Sequence, residues 1–281
     1  MKKLIPGLVM LLTASLSSAV YSSPVDDIAA FQGFFAERFK DVSLEQYKDG
    51  VNALPQYADR RGNWELLLDF PPYEEHVEKG RKEWATPFAN GKTFADCAAK
   101  WPAATAYPWY EAETDELHTV VGDINRCLEE NGEEVITNLK HGKIARLVIA
   151  FREQFNGQKM NVDVSHPGAQ KIYEKGKQFY WAKRGQLNFS CADCHVHSSG
   201  QKVRGDVLSA GLGHTTGFPV YRTKWSLAGK PLGTIHRRYG GCNNQVRASA
   251  FKPQGPEYKA LELYEAVMNT GVPLSVPSQR Q

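Results

Sequence analysis

The sequence predicts a mainly α-helical protein with long loops, its larger part laid out as two copies of one plan. Three observations lead there. Apolar residues recur at helical spacing in several separate segments, no stretch shows convincing strand alternation, and short segments repeat in the same order along the chain. Glu78-Lys79-Gly80-Arg81 parallels Glu174-Lys175-Gly176-Lys177, and further on Phe94-Ala95-Asp96-Cys97 lines up with Cys191-Ala192-Asp193-Cys194. A lone cysteine follows in each half, Cys127 and Cys242, and a helix begins after each, near Lys143 and near Glu257.

The N-terminus, residues 1–23, reads as a secretory signal. Lys2 and Lys3 form its positive start, Leu4 to Leu12 its short apolar stretch, and Ser17, Ser18 and Ala19 place cleavage between positions 19 and 23. The chain has 34 Lys+Arg against 31 Asp+Glu, and loss of Lys2 and Lys3 leaves 32 − 31 = +1. So neutral a chain gives no support to a broad nucleic-acid surface. No other stretch is long and apolar enough for membrane insertion. The expected compartment is the periplasm, where disulfides persist, and there the odd fifth cysteine calls for an explanation.

Residues 24–75 are expected to form an N-terminal helical extension. Asp26-Asp27 can cap a helix whose apolar face is Ile28, Phe31, Phe35 and Phe39; Pro55, Gly62, Pro71 and Pro72 then suggest loop. Residues 76–160 form the first repeated domain. Its clearest helix carries Ile144, Leu147, Val148, Phe151 and Phe155 and stops at Asn156-Gly157. The aromatics Trp101, Tyr107, Trp109 and Tyr110 fit its core better than a partner surface. Residues 161–281 form the second domain. A helix with Ala169, Ile172, Tyr173, Gly176 and Tyr180 on one face leads into the cysteine motif, and the Gly-rich stretch 205–241 reads as loop. A last helix carries Tyr258, Leu261, Tyr264, Val267 and Met268, with Gly271 as its C-cap and Pro273 beyond.

Cys191-Ala192-Asp193-Cys194-His195 is a C-x-x-C-H run, the attachment sequence of c-type haem. Two thiols one turn apart reach the two vinyl groups, and the adjacent imidazole becomes the proximal iron ligand. Three other readings compete. A thioredoxin-like pair wants a strand before the motif, a zinc site would draw on Cys191, Cys194, His195 and His197, and a plain disulfide leaves His195 unexplained. The second axial ligand is open. Met268 fits the core, His197 is too close in sequence, and His214, His236 and Cys242 remain. Arg237, Arg238, Arg247 and His236 surround Cys242 in sequence, and cationic neighbours stabilise thiolate. In the first copy Phe94 stands where Cys191 would be and Ala98 where His195 would be. Its two cysteines, Cys97 and Cys127, then have no haem to serve, and a disulfide between them would contribute about 3 kcal/mol.

On these residues the chain resembles the SoxA family, the catalytic cytochrome subunits of SoxAX complexes, L-cysteine S-thiosulfotransferases of bacterial sulfur oxidation. The resemblance covers essentially the whole chain and is most specific at Arg238–Cys242, the R-x-x-x-C stretch. It implies two tandem cytochrome c-like domains, the first degenerate, its haem lost and a Cys97–Cys127 disulfide in its place. It implies one covalent haem c on Cys191 and Cys194, with His195 and Cys242 as axial ligands. Cys242 would also be the catalytic residue, as a cysteine persulfide, with Arg238 binding thiosulfate and Arg247 nearby. The implied reaction joins thiosulfate to a cysteine of the carrier SoxY (SoxYZ) and passes electrons to cytochrome c; the implied partner is the SoxX cytochrome. A non-catalytic electron-transfer cytochrome is the alternative, but a pure electron carrier has no need of arginines around its ligand. Thiosulfate is a compact dianion, which suits the rigid, always-charged guanidinium fork.

Overall fold

A computed structural model describes residues 23–203 and 205–280. The expected signal segment lies outside the described residues except for Ser23, which opens the first helix, α1 (Pro24–Arg38). Ser23 rather than Asp26-Asp27 is the cap. Its hydroxyl accepts from the amide of Asp26 (3.2 Å), and the Asp26 carboxylate accepts from the amide of Ser23 (3.2 Å). Asp27 reaches outward instead, accepting from the Tyr173 hydroxyl (2.7 Å) and the Lys177 ammonium (2.6 Å). After 3₁₀ turns at Leu44–Ala53 and Pro55–Tyr57 comes α2 (Ala58–Asp69), where the sequence suggested loop. The prolines that hid it fall in the turn before it and beyond its end, where they do not interrupt a helix. No residue of α2 is buried, so no apolar face marked it either.

The first half holds α3 (Glu74–Ala85), α4 (Phe94–Ala98), the antiparallel pair β1 (Trp109–Glu111) and β2 (Glu116–His118), α5 (Val120–Glu130) and α6 (Lys143–Arg152). A 3₁₀ turn carries α6 on to Phe155, so the chain leaves the helix at Asn156 as the sequence predicts. The second half holds α7 (Pro167–Trp181), a π-helical turn at Asp193–His197, and the hairpin β3 (Lys202–Val203) and β4 (Asp206–Val207). Then come β5 (Val220–Arg222), α8 (Thr223–Ser226), β6 (Leu232–Gly233), α9 (Ile235–Gln245), α10 (Pro256–Met268) and β7 (Ser278–Arg280). In the one three-stranded sheet among the described residues, β5 pairs antiparallel with β6 and parallel with β7. Strands of two or three residues are too short to display alternation, which is why none was legible. The loop expected over 205–241 is also corrected: it holds β4, β5, α8, β6 and the start of α9. The glycines at 240 and 241 argue against a helix locally. Burial of Ile235, His236, Tyr239 and Asn243 along one face overrides them.

In each half an early helix lies along a late one, α3 on α6 and α7 on α10. Both crossings are made at a glycine. A Cβ on Gly176 would sit 2.0 Å from the Ala260 carbonyl oxygen, and one on Gly80 would sit 2.6 Å from that of Arg146. The helices therefore meet backbone to backbone. Cys97 and Cys127 are disulfide-bonded, joining α4 to α5. A single cluster of buried side chains runs through both halves. Buried Arg152 of α6 ties them further, donating to the carbonyls of Phe218 (2.7 Å) and Thr215 (3.0 Å).

Candidate active site

Ser190 winds the cysteine motif into its turn. Its hydroxyl accepts from the Asp193 amide (2.9 Å), while the Asp193 carboxylate accepts from the Ser190 amide (2.8 Å) and hydroxyl (2.9 Å). Cys191 and Cys194 are free thiols, and burial pushes both up from the usual thiol range. His195 is buried, and burial holds its imidazole well below the usual histidine range, hence neutral. Its Nδ1 lies 3.0 Å from the Ser209 carbonyl oxygen. A carbonyl can only accept, so Nδ1 carries the proton and Nε2 presents a lone pair.

Two adjoining clefts of about 470 and 460 Å³, mouths included, share Cys191, His195, Arg238 and Cys242 as lining. Cys194 lines the second. Helix α9 achieves this by carrying Arg238 and Cys242 one turn apart on one face. The other ligand candidates are placed less favourably. The His214 ring packs edge-on against that of His195 (centroids 4.2 Å apart), with Nε2 2.8 Å from the Ser209 hydroxyl and Nδ1 3.5 Å from Glu265. His236 lines a different cavity, its Nδ1 accepting from the Gln254 amide (2.9 Å) and its Nε2 2.9 Å from Glu262. Met268 is buried in the core, and His197 is exposed against the edge of Trp181. The donor set fits a c-type haem: two thiols one turn apart, an imidazole with Nε2 available, and a third thiol lining the same cleft.

The arginines at Cys242 are not those the sequence named. Arg238 is there, but Arg247 is exposed beyond the end of α9 and lines neither cleft. Arg222 and Arg280 take its place. They are cross-strand neighbours, paired directly in the register of β5 and β7, and Arg280 lines the cleft with Cys242. Burial, followed by the charges of Arg238 and Arg222, brings Arg280 down to about 9. Arg222 is lowered in the same way, by burial and then by Arg238, and a thiolate at Cys242 opposes both shifts. Arg238 and Arg280 thus line the cleft with Cys242, and Arg222 lies within electrostatic reach of both guanidiniums and of that sulfur. Local spacing carried no signal for Arg222 and Arg280, because a sheet, not a helix, delivers them. Glu265 of α10 lies on the cleft's inner side, accepting from the Tyr239 hydroxyl (2.5 Å), and burial pushes it up to about 7.

The first half offers a counterpart. Helices α5 and α9 both begin directly after a threonine, Thr119 and Thr234, and Cys127 and Cys242 lie equally far along them. Asp123 then stands on α5 where Arg238 stands on α9. Its carboxylate is buried and held by His118 Nδ1 (2.7 Å) and the Tyr107 hydroxyl (2.6 Å). Phe94, at the position matching Cys191, is buried and stacked on Trp84 with centroids 5.2 Å apart. Tyr107 is buried in the core as expected, and Trp101, Trp109 and Tyr110 pack against it half-buried, Trp101 and Trp109 also lining an open polar cleft beside the disulfide.

No family model matches the chain. Its sequence is 41% identical over 272 residues to the L-cysteine S-thiosulfotransferase subunit SoxA of Allochromatium vinosum, covering 96% of this chain and 94% of that protein. The chain belongs to the SoxA family. The SoxA subunit of Chlorobaculum tepidum is likewise 41% identical, over 285 residues, covering 99% of this chain and 97% of that one. Among solved structures, SoxXA from P. pantotrophus is similar with a TM-score of 0.68 at 29% identity, covering 76% of this chain and 83% of that one. The mainly helical architecture is thus that of a SoxA subunit. Among the described residues no helix is long and apolar enough to cross a membrane.

Proposed function

We propose that this SoxA-family chain is the catalytic, single-haem subunit of a periplasmic L-cysteine S-thiosulfotransferase. It pairs with a SoxX cytochrome and joins thiosulfate to a cysteine of the SoxYZ carrier. One observation carries the reading: Cys242 lines the same cleft as Cys191, His195, Arg238 and Arg280, with Arg222 paired to Arg280 across the sheet and within electrostatic reach. Cys191 and Cys194 would hold haem c covalently, and His195 Nε2 and the Cys242 sulfur would ligate its iron. Bound there, haem c supplies a one-electron acceptor next to the reacting sulfur. The three arginines neutralise the thiosulfate dianion and orient it, with Arg238 as the central contact. Cys242, carried as a persulfide, is the catalytic sulfur. The carrier thiol loses its proton, one S–S bond forms, and two electrons leave for cytochrome c, so the product carries one negative charge fewer than thiosulfate.

The domain plan follows as an extension (24–75), a degenerate cytochrome c-like domain (76–160) and a haem domain (161–281). The matched glycine crossings and the matched helices α5 and α9 support it. In the first copy Phe94 and Cys97 occupy the haem-attachment positions, Cys127 the position of Cys242, and Asp123 replaces the anion-binding arginine. The test is intact mass with optical and EPR spectra of the exported protein, beside a Cys242→Ala control. One covalent haem, a low-spin thiolate signal lost in the control, and one reductant-labile extra sulfur are expected. A histidine or methionine signature unchanged in the control would refute the assignment. Arg238→Ala is expected to keep the spectrum and lose turnover, whereas unchanged turnover would leave an electron carrier as the better reading.

A further inference from the structure

His214 lines the cleft beside His195, yet the reaction put forward above gives it no task. Its ring meets that of His195 edge-on, with centroids 4.2 Å apart. Burial, followed by the charges of Arg280 and Arg238, holds it well below the usual histidine range and so neutral. A neutral imidazole has one donor and one acceptor nitrogen, and here both face partners. Nε2 lies 2.8 Å from the Ser209 hydroxyl, and Nδ1 makes a longer contact, 3.5 Å, with Glu265. The other oxygen of Glu265 accepts from the Tyr239 hydroxyl (2.5 Å). Ser209 is also the residue whose carbonyl oxygen lies 3.0 Å from His195 Nδ1. A polar relay therefore runs from Tyr239 of α9 through Glu265 of α10, His214 and Ser209 to His195.

The segment that carries Ser209 and His214 is fastened on both sides. Towards the cysteine motif, the Gly211 amide donates to the His195 carbonyl (2.8 Å), so ring and main chain of His195 both pair with it. Towards α10, the fully buried Asn269 accepts from the Gly213 amide and donates to the Glu265 carbonyl (2.7 Å). Gly213 has a positive φ of 78°, and a Cβ there would lie 1.8 Å from the Tyr47 carbonyl oxygen, so the N-terminal extension closes over this turn. Ser209, Tyr239 and Glu265 are buried. Burying a carboxylate, two hydroxyls and an imidazole is costly unless each is hydrogen-bonded, and a connected set of them holds one arrangement. What this arrangement holds is the Ser209 carbonyl, and with it the plane of the His195 ring.

We propose that His214 is a positioning residue for the haem chemistry: held by Glu265, it anchors Ser209, whose carbonyl orients His195 and strengthens it as a donor to iron. The proposal rests on the assignment of His195 as an iron ligand. Outer-shell partners of this kind fix a ligand's orientation and raise its basicity. A more basic imidazole favours oxidised iron, so cutting the relay raises the reduction potential.

The experiment uses the haem-loaded complex with its partner cytochrome and follows, by redox titration, the EPR signal that Cys242→Ala removes. Wild type is compared with Ser209→Ala, His214→Leu, His214→Gln and the double variant Ser209→Ala/His214→Leu. Ser209→Ala and His214→Leu should each shift the g-values and raise the midpoint potential. The expected change in the one-electron equilibrium is roughly two- to tenfold, the contribution of one hydrogen bond; tenfold corresponds to about 59 mV. The double variant should shift no further than His214→Leu, since both cut one relay. His214→Gln restores one donor and one acceptor and should return the signal most of the way. Unmoved potential and g-values in Ser209→Ala overturn the proposal even where His214→Leu moves them, since the ring would then act on His195 by contact alone. Additive shifts overturn it too, as does a His214→Gln protein displaced as far as His214→Leu. Ser209→Ala removes a single oxygen, so it decides the matter should His214→Leu fail to load haem. A wild-type signal without histidine ligation would refute the assignment of His195, and the relay with it.

Discussion

Replacing Gly176 with alanine tests the packing that shapes the cleft proposed to hold the haem. Its new Cβ would lie 2.0 Å from the Ala260 carbonyl oxygen and 2.8 Å from the Tyr264 Cβ, both on α10. Non-bonded carbon and oxygen settle above ~3 Å, so α7 and α10 must part by about 1 Å along much of their contact. Overpacking of this kind costs about 1–3 kcal/mol, and here the obstacle is backbone, which cannot swing aside, so the upper end applies. Alanine's better helix propensity returns about 1 kcal/mol, leaving a net loss of roughly 2 kcal/mol. For a chain of 281 residues that corresponds to a melting temperature lower by about 5 °C. Because α7 leads into Cys191 and α10 carries Leu261 and Glu265 into the cleft, the haem absorption should shift too. Gly33→Ala on the exposed face of α1 is the internal control: its Cβ meets nothing within 4 Å, so only the propensity gain of up to about 1 kcal/mol remains. Thermal and urea melts of the two variants should move in opposite directions. A Gly176→Ala protein as stable as wild type would refute backbone contact at this crossing.

Three further outcomes follow from the same geometry. Glu265 is pushed up to about 7 in the fold from an unfolded value of 4.5, so its favourable contribution is full below pH 4.5 and lost as pH rises through 7. That separation is worth about 3 kcal/mol, and Glu265→Gln should flatten this limb of urea midpoint against pH; an unaltered slope would refute it. Opening the Cys97–Cys127 loop, 30 residues in sequence separation, with Cys97→Ser/Cys127→Ser should cost about 3–4 kcal/mol while leaving the haem spectrum intact, read by urea unfolding and absorption. Arg280→Ala should raise the KM for thiosulfate by roughly ten- to a hundredfold through loss of a charge-assisted contact, whereas Arg247→Ala should leave it unmoved; the reverse ranking in steady-state kinetics would restore Arg247 to the site.

What was legible and what was not divide along physical lines. The cysteine motif, the long helices α1, α6, α7 and α10 and the repeated order of features could be read because each is a local pattern. Helix α2 buries no side chain and so leaves no periodic trace. The start of α9 was misread because two glycines outweigh local helix propensity, and only its packing against the core restores it. The glycines of the repeated Glu-Lys-Gly segments were legible as a match but not as crossing points, since the partner backbones at Arg146 and Ala260 come from far along the chain.

The sequence by itself determined the chemistry available to this protein: a haem-attachment run, a third thiol with an arginine one helical turn before it, and a first half that keeps two cysteines but not the motif's histidine. Each of those features is local in the chain or a repeat of a local one, where covalent spacing and helical period suffice. Only the tertiary structure decided which charges surround Cys242. Arg222 and Arg280 reach it because β5 and β7 pair in parallel, and Arg247 is lost to solvent because the chain turns away after α9. Long-range strand pairing is set by the burial of the whole core, which no local spacing records.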